Sequence, residues 1–169
     1  GCHDEELRRT FKQDESWDAA DGKYFYICER ITDWHLRKEI GGCLNNGARV
    51  QLDELVDNYQ TETYWACQTK GDGSVAMCIK GCRHDNRRYA IGEQWPEEDF
   101  LFYCKSTRDC EEVEKICIGC QSPAGQKLYD GDRYFKSGAI FQCDIRRDHN
   151  AHRLVGCLQT DDYGSSIAE

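Results

Sequence analysis

Glycine-cysteine pairs recur along this 169-residue chain at a nearly constant interval. Their cysteines are Cys2, Cys43, Cys82, Cys120 and Cys157. Successive members of this series lie 41, 39, 38 and 37 residues apart. Self-similarity with a fixed period in the range of roughly 20 to 50 residues is typical of repeat proteins. The series therefore predicts that one small structural unit occurs four times.

Two further landmarks keep the same phase. An aromatic residue lies two positions before a cysteine once per repeat, in Tyr26–Cys28, Trp65–Cys67, Phe102–Cys104 and Phe141–Cys143. Two apolar or aromatic residues six positions apart also flank a Gly or Asp that is followed by an acid, in Phe11–Trp17, Val50–Val56, Tyr89–Trp95 and Leu128–Tyr134. Three landmarks in register across four repeats are difficult to explain by chance.

The supply of apolar residues is small for a chain of this length. Hydrophobic residues, cysteine included, make up 39% of the sequence, and twelve residues are cysteines. Small units that cannot bury enough apolar surface are commonly held together by disulfides in oxidising compartments. The even count predicts that all twelve cysteines are paired, and zinc-binding thiolates are the alternative.

The pattern within each repeat predicts an all-β fold of four tandem, disulfide-stapled antiparallel units. Gly or Asp before an acid is turn chemistry, and the segments that end at the aromatic-x-Cys positions are rich in strand formers. Short helices are conceivable at residues 4–11 and 110–115. We expect units at residues 1–41, 42–80, 81–118 and 119–158, and a polar tail at 159–169. The two prolines form no linker, so the units should abut.

The order Gly-Cys, Gly-Glu-x-Trp, aromatic-x-Cys, Gly-Cys resembles the fibronectin type I-like repeats of nematode secreted proteins of the abnormal cell migration group. The third and fourth repeats, "GCRHDNRRYAIGEQW" and "GCQSPAGQKLYDGDRY", match best. The first two depart from the pattern, with Asp14 and Asp53 at the glycine position and Val56 at the aromatic position. The resemblance implies a secreted, extracellular, non-enzymatic protein that binds matrix, cell-surface or soluble signalling proteins. Modules of the von Willebrand type C family share fewer of these features.

The cysteine spacing favours one pairing scheme over a rival. The 14 to 16 residues from each aromatic-x-Cys to the next Gly-Cys favour four bonds, Cys28–Cys43, Cys67–Cys82, Cys104–Cys120 and Cys143–Cys157. The bonds Cys110–Cys117 and Cys2–Cys78 would complete this scheme. The rival scheme pairs cysteines inside each unit, as Cys2–Cys28, Cys43–Cys67, Cys82–Cys104 and Cys120–Cys143, but leaves Cys157 without an obvious partner. Connectivity does not follow from sequence alone.

Composition argues against several classes of partner. The net charge is -9, and no run of Lys and Arg forms the basic stripe that nucleic acid requires. No apolar run approaches the roughly 20 residues that span a bilayer, so no membrane insertion is expected. The chain shows no leader at its start, so we expect that any secretory signal has been removed.

Catalytic motifs are weak. His149 and His152 have a spacing that two zinc ligands on a helix could share, but they lie in a charged stretch where a hairpin tip is expected. Cys117-Ile-Gly-Cys120 is better explained as part of the Gly-Cys series than as a redox pair. We expect no enzyme activity and no cofactor, and a small secreted metalloenzyme is the alternative from another class.

Two surface features are candidate partner-binding sites. Lys70-Gly71-Asp72 lies between Cys67 and Cys78, and a basic-Gly-Asp loop bounded by cysteines resembles the integrin-binding loops of disintegrins. An integrin antagonist is therefore an alternative function, although the same residues also suit a hairpin turn. Trp34 lies outside every repeat landmark and is a candidate exposed anchor, since tryptophan is enriched at binding hot spots.

Overall fold

The computed structural model of the protein describes the backbone of residues 1–161 and 164–168, and the side chains of residues 1–157. The chain divides into two compact bodies. Body 1 comprises Gly1–Arg88 and Arg108–Glu112, and body 2 comprises Tyr89–Thr107 and Val113–Glu169. The strands in chain order are β1 Cys2–Asp4, β2 Arg9–Phe11, β3 Ser16–Asp18, β4 Tyr24–Thr32, β5 His35–Asn45, β6 Ala48–Gln51, β7 Leu55–Asn58, β8 Thr63–Thr69, β9 Val75–His84, β10 Arg87–Ala90, β11 Gln94–Glu97, β12 Phe100–Arg108, β13 Glu112–Gln121, β14 Lys127–Leu128, β15 Arg133–Lys136, β16 Ala139–Ile145, β17 Asn150–Asp161 and β18 Gly164–Ala168.

The strands form small sheets of antiparallel neighbours. A two-stranded sheet, β1-β2, precedes four four-stranded sheets with the orders β3-β4-β5-β6, β10-β9-β8-β7, β11-β12-β13-β14 and β15-β16-β17-β18. The predicted all-β class is confirmed. Neither of the two short helices considered from the sequence is present. Residues 4–11 contain a turn between β1 and β2, and residues 110–115 contain a turn and the start of β13.

Long strands cross all four predicted unit boundaries without a break. β5 pairs with β4 from His35 to Cys43 and then with β6 from Gly42 to Asn45, so the last strand of one repeat continues as the first strand of the next. β9, β13 and β17 likewise cross the predicted boundaries after residues 80, 118 and 158. The boundaries themselves stay a prediction. The described part of the predicted tail belongs to β17 and β18.

The Gly-or-Asp landmark is a turn with the same hydrogen bonds in every repeat. Its first residue has a positive φ, between 67° and 91°, at Asp14, Asp53, Gly92 and Gly131. Each of these residues donates its backbone N–H to the carbonyl of the aromatic-x-Cys cysteine at 2.7 to 2.8 Å. The following acid accepts a hydrogen bond from the backbone N–H three residues earlier, at 2.8 to 3.0 Å. Asp tolerates the left-handed region better than most residues, which explains why it replaces glycine in the first two repeats.

The paired apolar landmarks form aromatic stacks in two repeats. Phe11 stacks on Trp17 with a centroid distance of 3.9 Å, and Tyr89 stacks on Trp95 at 4.3 Å. The aromatic residue before the cysteine lies opposite the second landmark, so that Tyr26 faces Trp17 across β3 and β4. The aromatic-x-Cys cysteines, Cys28, Cys67, Cys104 and Cys143, are completely buried beside these residues. Ring stacking and the disulfide therefore build one small core together.

The glycine before the Gly-Cys cysteine permits close approach of two strands at Gly42 and Gly119. A side chain at Gly42 would overlap the backbone carbonyl of Val50 on β6, and one at Gly119 would overlap the carbonyl of Leu128 on β14. The glycine is thus required by backbone packing and not by a turn.

The favoured disulfide scheme was wrong. The structure bonds Cys2–Cys28, Cys43–Cys67, Cys78–Cys110 and Cys120–Cys143, with Cα–Cα distances of 5.7, 5.8, 4.4 and 5.8 Å. These bonds exclude all six predicted pairs, Cys28–Cys43, Cys67–Cys82, Cys104–Cys120, Cys143–Cys157, Cys110–Cys117 and Cys2–Cys78. Three pairs of the rival scheme are present, and its fourth, Cys82–Cys104, stays a prediction.

The strand register explains the error. Cys43 lies opposite Tyr24 on β4, and Cys28 is four residues further along that strand. Four residues of strand span about 13 Å, whereas bonded cysteines have Cα atoms about 4.4 to 6.8 Å apart. Cys82 and Cys157 face Thr63 and Ala139 with the same offset from Cys67 and Cys143. The constant spacing of 14 to 16 residues between these cysteines therefore reflects the constant length of the hairpin that joins them, and not a bond between them.

Two of the cysteines have no disulfide partner within the described side chains. They are Cys117, which is half-buried, and Cys157, which is exposed. Burial raises the pKa of the Cys117 thiol, which lies 3.4 Å from the carbonyl oxygen of Gly119. The prediction that all twelve cysteines are paired was wrong.

Candidate binding surfaces

The tip of the β4–β5 hairpin carries the most exposed large apolar side chain that the structure describes. Trp34 is 97% exposed, and Ile31 on the same hairpin is 42% exposed. Thr32 and His35 close the hairpin as the last paired residues, which leaves Asp33 and Trp34 at its tip. Trp34, a candidate exposed anchor in the sequence, is exposed, and its role in binding stays a prediction.

The Lys70–Asp72 segment forms the exposed turn between β8 and β9. Oδ1 of Asp72 accepts hydrogen bonds from the backbone N–H of Ser74 at 2.9 Å and from its hydroxyl at 2.6 Å. These bonds lower the pKa of the Asp72 carboxyl below its ordinary value. Gly73 has a φ of +86° and donates its N–H to the carbonyl of Lys70. The carboxylate of Asp72 thus stabilises the turn locally.

His149 and His152 are not brought together as ligands. His149 lies in the turn before β17, where its carbonyl accepts the N–H of Arg146. The ring of His152 lies 2.6 Å from the hydroxyl of Tyr134 through Nδ1 and 2.7 Å from the carbonyl of Asp99 through Nε2. Within the described residues, no three His, Cys, Asp or Glu side chains are grouped to hold a metal ion.

Buried carboxylates are held by hydrogen bonds and by cations. Asp4 accepts hydrogen bonds from the backbone N–H of Leu7 at 3.0 Å and from the Trp17 indole at 2.8 Å, which lower the pKa of its carboxyl. Asp57 is bound by both side-chain oxygens to the guanidinium of Arg88, and Arg83 lies 3.0 Å away. The Arg88 contacts in particular lower the pKa of Asp57. Both carboxylates are therefore already bound by other groups of the protein and stabilise its fold.

A groove at an equivalent position in three repeats was missed by sequence reasoning. In each of these repeats it lies beside two residues. One is the aromatic residue two positions before the aromatic-x-Cys cysteine, and the other is the residue that pairs with that cysteine on the next strand. These pairs are Tyr26 and Lys38, Trp65 and Met77, and Phe141 and His152. The departure of Val56 from the aromatic pattern was the available sequence signal for a difference in the second repeat.

The fold defines a chain of small antiparallel β modules, each with a cysteine core and a shared strand to the next. Comparison with known families agrees, because the fibronectin type I domain model matches residues 1–75 and 80–151. The chain belongs to the fibronectin type I domain family. Domains of this family are non-enzymatic modules that mediate extracellular protein binding, and multiple disulfides are typical of extracellular proteins.

One similar protein is the uncharacterized protein F42A8.1 of Caenorhabditis elegans, which is 40% identical over 99 residues. The matched region is 57% of this chain and 26% of the relative, so the chain spans about a quarter of the relative's length. No solved structure matches the chain. The described residues contain no helix that is long and apolar enough to cross a membrane.

Proposed function

We propose that the protein is secreted and binds a matrix, cell-surface or soluble signalling protein, with the β4–β5 hairpin of body 1 as a main contact. The membership in the fibronectin type I domain family supports binding as the general activity. The resemblance to the abnormal cell migration group supports cell migration as the process.

The exposure of Trp34 is the observation that carries the proposal. A tryptophan side chain presents about 150 to 250 Å² of mostly apolar surface, and burying it contributes about 4 to 6 kcal/mol before the costs of association. Among the described side chains, Trp34 has no ring or cation-π partner, so the fold does not require a large side chain at this hairpin tip. Its backbone N–H reaches the hydroxyl of Thr32 at 3.4 Å. An aromatic anchor inserted into a partner pocket accounts for it.

The adjoining strand offers backbone groups beside this anchor. β6 covers β5 only from Gly42 to Asn45, so residues 35–40 form a sheet edge in the part of body 1 that the structure describes. An extended segment of a partner can pair with such an edge. The β4–β5 hairpin thus offers a partner both an aromatic side chain, that of Trp34, and the unpaired backbone edge of residues 35–40.

The integrin alternative depends on the carboxylate of Asp72. Its Oδ1 already accepts two hydrogen bonds from Ser74, which favours the turn role. The metalloenzyme alternative depends on His149 and His152, and stoichiometric zinc in purified protein would support it.

The experiment measures the affinity of the intact, oxidised protein for partners captured from extracellular material. Trp34→Ala is compared with wild type, and Phe135→Ala, which removes another aromatic side chain of 62% exposure, is the matched control. Asp72→Ala tests the integrin alternative in the same assay.

We expect Trp34→Ala to weaken binding at least tenfold without changing the free energy of unfolding, and both other variants to bind like wild type. Unchanged affinity in Trp34→Ala would refute the hairpin as the main contact. A loss of affinity confined to Asp72→Ala would favour the integrin mode instead.

A further inference from the structure

The groove of the second repeat differs from its counterparts in size and lining. It encloses about 600 Å³, against about 430 Å³ in the first repeat and about 340 Å³ in the fourth. Its lining residues all belong to body 1 and are Asn45, Asn46, Val56, Asp57, Asn58, Tyr59, Gln60, Trp65 and Met77. The volume is within the range of about 300 to 1,000 Å³ that small-molecule sites have.

The extra space follows from the sequence of this repeat. In the first and third repeats the two apolar landmarks are a stacked pair of rings, Phe11 on Trp17 and Tyr89 on Trp95. The second repeat has Val50 and Val56 at these positions. Val56, which lines the groove opposite Trp65, fills much less volume than the tryptophan at the equivalent position of the first and third repeats, so the face of the sheet beside Trp65 is left open.

Aromatic and amide groups line this space. Tyr59 is 68% exposed, and the guanidinium of Arg83 lies 4.4 Å from the centre of its ring. Arg83 itself is 5% exposed and ion-paired with Asp57, so it supports the ring from a fixed position. Trp65 is oriented by a hydrogen bond from its indole N–H to the hydroxyl of Thr63 at 3.0 Å.

The charge of the groove is compensated within the protein. Its one carboxylate, that of Asp57, is bound by Arg88 and Arg83, and Glu62 outside the groove lies 3.9 Å from Arg83, so two carboxylates balance two guanidinium groups. The remaining polar side-chain groups of the lining are uncharged: the amides of Asn45, Asn46, Asn58 and Gln60, the Tyr59 hydroxyl and the Trp65 indole N–H. Oδ1 of Asn58 already accepts the backbone N–H groups of Gln60 and Thr61. The groove of the first repeat, in contrast, is lined by Asp4, Glu5, Glu6 and Lys38. A ligand of the second groove gains nothing from net charge.

We propose that this groove binds a neutral oligosaccharide. Sugar rings present C–H faces that pack on Tyr59 and Trp65, and their hydroxyl groups hydrogen-bond with the amides at the rim. Val56 and Met77 supply an apolar floor. This site is separate from the Trp34 hairpin proposed to bind protein, so either proposal can fail alone.

Binding is measured by calorimetry and by tryptophan fluorescence on the intact, oxidised chain. The probes are the trimer of N-acetylglucosamine, cellotriose and maltotriose, with a heparin-derived tetrasaccharide as the anionic comparison. We expect at least one neutral trisaccharide to bind with a Kd of about 1 mM or lower, and no binding of the heparin fragment at the same site.

Two variants test the site without disturbing the fold. Tyr59→Ala removes an exposed ring. Asn46→Gly removes one amide and retains the turn, because Asn46 has a φ of 52° that glycine adopts freely. Their controls are Tyr129→Ala, at another exposed tyrosine, and Asn86→Gly, at another asparagine of positive φ.

We expect each groove variant to weaken binding at least fivefold and each control to bind like wild type. The proposal is overturned if no neutral trisaccharide binds, if only the heparin fragment binds, or if Tyr59→Ala and Asn46→Gly both bind like wild type.

Discussion

The disulfide pairing predicts opposite outcomes for two double variants that share one substitution. Cys43→Ala with Cys67→Ala removes both halves of one bond. Cys28→Ala with Cys43→Ala breaks two bonds and leaves Cys2 and Cys67 without partners. Since Cys117 and Cys157 are unpaired in the described structure, denatured protein should show two free thiols in wild type and in the first variant. The second variant should show two more.

The first variant also measures what one bond contributes to stability. The cysteines are 24 residues apart, and the loss of loop entropy in the unfolded chain at this separation is worth about 3.5 kcal/mol. Both sulfur atoms are buried against Val50 and Val75, so their removal also leaves a small cavity. We therefore expect the free energy of unfolding of this repeat to fall by at least about 3.5 kcal/mol.

Thiol titration in denaturant and guanidinium unfolding followed by near-UV circular dichroism are the assays. Peptide mapping of wild type under nonreducing conditions supplies the control and also tests Cys82–Cys104. More free thiols in the Cys43/Cys67 variant than in the Cys28/Cys43 variant would refute the register argument.

Three other outcomes follow from the structure. Gly42→Ala should lower the free energy of unfolding by more than about 2 kcal/mol, because the added methyl group overlaps the Val50 carbonyl. Gly71→Ala is the control, because the space around Gly71 is open, and it should change the free energy of unfolding by less than about 0.5 kcal/mol in the same denaturation assay. The folded-state pKa of the Asp4 carboxyl is below its ordinary value of 3.8, so Asp4 stabilises the folded state above that pH and this stabilisation is lost as the pH falls through the folded value. Asp4→Asn should therefore reduce the fall in the free energy of unfolding at acid pH. An unchanged dependence on pH would contradict this. Full reduction should abolish the near-UV circular dichroism signal, because each repeat of about 40 residues lacks a sufficient core without its bonds.

The repeat could be predicted from the sequence because each landmark has one physical cause. Asp14 and Gly92 look different as letters but share a left-handed backbone and the same hydrogen bond to the cysteine carbonyl. Phe11 and Trp17, six residues apart, stack because the turn between them brings them together. A turn conformation or a ring contact restricts which residues can occur at its positions, so a recurring sequence pattern is enough to predict that local structure.

The pairing of cysteines could not be predicted in this way because it depends on strand register. The register between β4 and β5 shifts at the Phe25/Tyr26 irregularity, and no local signal marks that shift. The groove was also missed, because the open space exists where Val56 is smaller than the tryptophan of the first and third repeats. Trp34, by contrast, could be named as a candidate from the sequence because this residue lies outside every landmark.

The repeats separate the residues that maintain the fold from those that differ between grooves. The cysteine and its turn are the same in each repeat, whereas the residue opposite that cysteine is Lys38, Met77 or His152. Lys38 lies 4.5 Å from the ring of Tyr26, and His152 packs edge-on against Tyr134, but Met77 makes no charged or polar contact of this kind among the described residues. Because this position lines the groove in three repeats with three different side chains, the fold tolerates substitution there. A family of modules built this way can acquire different ligands by substitution at the same few positions.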